Sequence, residues 1–93
     1  MSEIDNDDES FAADKLIEAI ENQLEAGEPA AAQATLNKLT LVGYERADSV
    51  EMMAMVLANE VNRMFAEDRP FDSARYEQLL RALPQLPEDD ESN

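Results

Sequence analysis

The chain has 93 residues, which is enough for one small domain. Its 22 acidic and 7 basic side chains give a net charge of −15, which disfavours direct binding to nucleic acid or to an anionic membrane surface. His and Cys are absent, which removes the commonest general base, the thiol nucleophile and the usual zinc ligands. We therefore predict no enzyme activity, no cofactor, no metal site and no small-molecule substrate.

The two ends of the chain concentrate the negative charge. Residues 1–10 carry five acidic side chains and residues 88–91 carry four, with no basic side chain in either segment. Repulsion within each segment predicts disordered acidic tails at residues 1–9 and 88–93. The first ten residues also lack the basic and apolar regions of a signal peptide, and no apolar run approaches the roughly 20 residues that span a bilayer. We therefore expect a cytoplasmic protein.

The first predicted helix spans residues 10–26. Its apolar side chains recur at the i, i+3, i+4 and i+7 spacing of one helix face, and they are Ala13, Leu16, Ile17, Ile20 and Leu24. Gly27 follows and supplies the left-handed backbone conformation that commonly closes a helix.

The second predicted helix spans residues 29–42. Pro29 suits its first turn, because the missing N–H would have no partner there. The side chains expected to face inward are Ala32, Leu36, Leu39 and Val42. Gly43 and Tyr44 then follow in the order of a Schellman cap, in which an apolar residue after the glycine packs back on the last turn.

The third predicted helix spans residues 49–67. Asp48 and Glu51 have the spacing of a capping box, which predicts Asp48 as the N-cap. At about 100° per residue, the inward face contains Val50, Met53, Ala54, Leu57, Val61 and Met64, with Phe65 at its edge.

The opposite side of this third helix carries Met52, Met55, Asn59 and Asn62. A helix that is apolar on both sides is typical of one buried among its neighbours, and in that case Met52 and Met55 belong to the core. Alternatively they form an exposed patch that binds a second protein, a role suited to the flexible thioether of methionine. Asn59 and Asn62 favour this partner-binding alternative, because buried amides need hydrogen-bond partners. Both alternatives stay open, and self-association would be the simplest form of the second.

The fourth predicted helix spans residues 73–83, with Asp72 as its N-cap. Phe71 precedes the cap and is expected to pack on Tyr76 as a hydrophobic staple. The inward side chains are Tyr76, Leu79, Leu80 and Leu83. Because no alternating strand pattern is present, the sequence predicts an all-α fold, a compact bundle of four helices over residues 10–87.

Glu60 is the acidic residue nearest the inward stripe of the third helix. Partial burial could suit it for acid–base chemistry. The alternative, which we favour, is a rim glutamate paired with Lys or Arg from a neighbouring helix.

Four pairs of residues extend across the chain and carry a family resemblance: Gly43-Tyr44, Phe71-Asp72, Arg75-Tyr76 and Leu83-Pro84. With them, residues 14–87 resemble short all-helical proteins predicted in proteobacterial genomes, a family with no assigned activity. The resemblance implies a small bacterial helical protein and no functional residue.

These patterns together predict a non-catalytic protein–protein interaction module. It would self-associate or bind a protein partner through the third helix, at Met52, Met55, Asn59 and Asn62. The net charge of −15 motivates an alternative, an acidic mimic of nucleic acid that inhibits a basic nucleic-acid-binding protein.

Overall fold

The computed structural model describes the backbone of residues 2–87 and the side chains of residues 14–87. Four helices follow one another: α1 (Ser2–Ala26), α2 (Ala30–Leu41), α3 (Arg46–Glu67) and α4 (Ser73–Ala82). No strand occurs among the described residues, so the predicted all-α bundle of four helices is confirmed. None of these helices combines the length and the apolar character needed to cross a lipid bilayer.

The backbone of α1 begins at Ser2, eight residues before the predicted start at Ser10. The first ten residues contain no Gly or Pro, and acidic side chains are favourable near a helix N-terminus. Of the predicted acidic tails, residues 88–93 lie outside the described part of the chain, as do Met1 and the side chains of residues 2–9.

Both glycines close helices as predicted. Gly27 has a φ of 74° and Gly43 a φ of 109°, in the left-handed region. After α2, the N–H of Tyr44 donates to the carbonyl of Leu39 at 3.0 Å, and the N–H of Gly43 donates to the carbonyl of Thr40 at 3.1 Å. These two bonds form the predicted Schellman cap. Val42, predicted to face inward, is instead 61% exposed, because the helix has already ended at Leu41.

The predicted capping box at the start of α3 is wrong. The helix begins at Arg46, and Glu45 occupies the N-cap position without a side-chain hydrogen bond. Asp48 instead lies in the first turn, where a carboxylate is favourable beside the positive end of the helix dipole. Ser49 is fully buried, and its hydroxyl donates to the carbonyl of Glu45 at 3.0 Å.

The start of α4 agrees with its prediction. The carboxylate of Asp72 accepts a hydrogen bond from the backbone N–H of Arg75 at 3.1 Å. The rings of Phe71 and Tyr76 lie edge to face, with 5.4 Å between their centroids, so the predicted staple is present.

The core lies around α3, which packs against each of the other three helices. Side chains with no exposed surface come from every helix and from the residue after α4, and they include Ile20, Leu39, Met53, Val56, Leu80 and Leu83. The sequence placed Val56 on neither face, yet it is fully buried because α3 is enclosed on three sides. Phe65, predicted at the edge of the inward face, is 74% exposed.

Tyr76 joins α4 to α1, since its hydroxyl donates to Oε1 of Gln23 at 2.9 Å. Burial raises the pKa of Tyr76 to about 12 from its ordinary value of 10.0, because the phenolate is poorly solvated there. The neutral phenol therefore contributes stability that is complete below pH 10 and is lost as the pH rises toward 12.

We expect the free energy of unfolding to fall between pH 10 and pH 12, measured by urea titration at a series of pH values. Tyr76→Phe should flatten that fall, and an equally steep fall in this variant would contradict the assignment.

Candidate functional site

The structure divides the four predicted partner-binding residues. Met52 is half-buried and packs against the core, whereas Met55 is 53% exposed. Asn59 is half-buried and Asn62 is exposed. The core interpretation therefore applies to Met52, and the surface interpretation remains open for the other three residues.

An apolar groove of about 250 Å³ runs between α1 and α3. Its lining residues are Leu16, Ile17, Glu51, Ala54, Met55 and Ala58. The groove exists because Ala54 and Ala58 are small, so that the Met55 side chain stands beside a depression rather than on a filled surface.

A second groove of about 350 Å³ continues from the first along α3. Its lining residues are Met55, Ala58, Asn59, Asn62, Leu86 and Pro87. Because Met55 and Ala58 line both grooves, the two are adjacent on α3, and together we call them the Met55 trough. The sequence did not predict Leu86 or Pro87 here, since no helical periodicity relates the segment after α4 to α3.

One polar atom in the Met55 trough is unsatisfied. The side-chain oxygen of Asn59 is buried and accepts no hydrogen bond from the described residues. A buried amide oxygen ordinarily has a donor, and its lack costs about 1–3 kcal/mol.

The trough has one acidic lining residue and no basic one. Glu51 lines it, and Asp48 is exposed one helical turn earlier on α3. Arg46, at the start of α3, is already bound by both oxygens of Glu21 on α1, at 2.7 and 2.8 Å. This pairing lowers the pKa of the Glu21 carboxyl through the hydrogen bonds from Arg46.

Glu60 lies outside the trough and is fully buried. Its Oε2 accepts hydrogen bonds from Nη1 of Arg69 at 3.3 Å and from the backbone N–H of Asp72 at 3.2 Å, and its Oε1 lies 3.3 Å from Nε of Arg75. The predicted pairing with arginine is thus present, but the predicted rim position is wrong. With both oxygens held by neighbouring groups, Glu60 is a structural link between α3 and the start of α4.

Another exposed apolar patch lies at the end of α2, where Leu41 is 86% exposed beside Val42 and Tyr44. The patch on α2 is separate from the Met55 trough and shares no lining residue with it.

Among the described residues, no three acidic side chains come close enough together to hold a metal ion.

No protein-family model, curated protein or solved structure matches the chain. The resemblance to short proteobacterial helical proteins therefore stays a prediction.

Proposed function

We propose that the chain is a small non-catalytic interaction module of the cytoplasm that binds another protein through the Met55 trough. The observation that supports this most is the combination of an exposed methionine with an apolar depression on α3, the helix that packs against all three others. Exposed apolar grooves of this kind are typical of binding surfaces for other proteins.

The amide side chains of Asn59 and Asn62 add polar groups to the apolar lining. Binding surfaces usually combine a mostly apolar lining with a few polar groups that fix the orientation of the partner. The Met55 trough has both kinds of group. A second copy of this chain and a different protein are both consistent with that pattern.

A site-specific crosslinking experiment tests the proposal. A photoreactive amino acid at position 62, in the full chain inside the cells that produce it, should give covalent adducts of discrete mass upon illumination. Met55→Gln should reduce the adduct yield at least about tenfold, because it removes the apolar side chain at the centre of the trough. An adduct of two identical chains would identify self-association.

Two controls make the outcome decisive. Leu41→Gln makes the same kind of change at a more exposed apolar side chain, in the α2 patch, and should leave the adducts at position 62 unchanged. A photoreactive group at the exposed position 33, on α2, should give no discrete adduct. Equal yields at positions 62 and 33, or a yield insensitive to Met55→Gln, would contradict the proposed function.

A further inference from the structure

We propose that the partner presents an amphipathic helix whose apolar stripe is flanked by lysine and arginine side chains. This inference rests on the proposed function of the Met55 trough. It adds the secondary structure and the charge of the bound segment.

The length and surroundings of the trough favour a helix. Its lining on α3 runs from Glu51 to Asn62, which at 1.5 Å per residue is about 17 Å, or three turns of a bound helix. Two helices of this bundle, α1 and α3, form the walls of its first half. The described residues contain no strand and hence no sheet edge to which an extended peptide could add. A helix laid in a groove between two helices is the recurring recognition mode that fits these walls.

Charge complementarity favours a basic partner. On α1, Asp14 is exposed three residues before Ile17, which places it on the same face as this lining residue. On α3, Asp48 and Glu51 occupy the same face as Met55. The lining of the trough contains no lysine or arginine, and its one charged side chain is Glu51, with the carboxylates of Asp14 and Asp48 on adjoining helix faces. Lysine and arginine beside an apolar stripe would meet them.

The same charges disfavour a second copy of this chain. In a symmetric dimer the same surface of both chains meets, so the carboxylates of both copies would share one interface whose lining contains no lysine or arginine to pair with them. Each copy also carries a net charge of −15. Juxtaposed like charges suppress association.

Three synthetic helical peptides of about 18 residues test the inference. The first has leucine at i, i+3, i+4 and i+7 with lysine on both sides, the second replaces each lysine with glutamate, and the third replaces each leucine with glutamine. Binding of each labelled peptide to the full chain is measured by fluorescence anisotropy at low and at physiological salt. We expect the first peptide to bind at least about tenfold more tightly than the other two, with an affinity that falls as salt increases.

Two pairs of variants locate the binding. Glu51→Lys should weaken the first peptide about tenfold and strengthen the second. The matched change Glu28→Lys, at an exposed position in the turn after α1, alters the net charge equally and should change either affinity less than about twofold. Met55→Gln should weaken the first peptide about tenfold at unchanged net charge, whereas Leu41→Gln should not.

Each contrary result has its own meaning. If Glu51→Lys and Glu28→Lys change the affinity for the first peptide equally, or if the third peptide binds as tightly as the first, the inference is wrong. The binding would then be a general attraction to an acidic surface, as in a nucleic-acid mimic. A concentration-dependent dimer in analytical ultracentrifugation that Met55→Gln abolishes would overturn it in favour of a second copy. In that last case the crosslinks at position 62 would persist, so the interaction function would stand while the basic helix would not.

Discussion

Replacing Glu60 with glutamine is expected to lower the free energy of unfolding by about 2 kcal/mol. The carboxylate is fully buried and joins two arginines and a backbone N–H. Removal of one partner of a buried ion pair commonly costs about 3–5 kcal/mol. The cost here should be smaller, because the side chains of Arg69 and Arg75 keep 27% and 38% of their surface exposed and can regain water.

Urea unfolding followed by far-UV circular dichroism measures this loss. Hydrogen exchange at the amide of Asp72 should accelerate in the same variant, because that N–H donates to Oε2 of Glu60. Glu51→Gln is the matched control, with the same chemical change at an exposed position of α3, and it should alter stability by less than about 0.5 kcal/mol. If both variants unfold at the wild-type urea concentration, Glu60 does not act as the link described above.

Alanine at the three neighbouring methionines of α3 should have three different effects on stability. Met53 has no exposed surface, so Met53→Ala should cost about 3 kcal/mol through lost burial and the cavity left behind. Met52 is half-buried against the core, so Met52→Ala should cost about 1 kcal/mol. Met55 is 53% exposed, so Met55→Ala should change stability by less than about 0.5 kcal/mol.

Urea midpoints of the three variants, measured under identical conditions, check this order. The helical content of Met55→Ala should match the wild type, since alanine is a good helix former. A loss at position 55 as large as that at position 53 would place Met55 in the core. The Met55 trough would then be no binding surface.

Local signals in the sequence were sufficient for the helices and most of their ends. Gly27 and Gly43 stop helices because their left-handed conformation needs no tertiary partner. Asp72 caps α4 through an atom only three residues away. In each case the interaction that ends or begins the helix involves residues close together in the sequence.

The failures of prediction have tertiary causes. Asp48 and Glu51 had the spacing of a capping box, but α3 begins earlier, beside the Arg46–Glu21 pair and the buried Ser49. The sequence predicts Glu60 at the rim of the core, yet α4 and the segment between α3 and α4 enclose it completely. Periodicity within a single helix contains no information about which neighbour covers it.

The candidate site was predictable only in part. Of the four residues that the sequence singles out on α3, Met55, Asn59 and Asn62 line the trough and Met52 does not. Met52 packs against the core while Met55 is exposed, and Leu86 lines the trough. Both facts depend on how the helices pack and could not be predicted from the sequence.

The exposure of Met55 also has a chemical consequence. Peroxide should reach its sulfur well before that of the enclosed Met53 and convert it to the sulfoxide, a polar and chiral group. Mild oxidation would thus place a polar sulfoxide at the centre of the trough while leaving the fold intact, and methionine sulfoxide reductase would reverse the change.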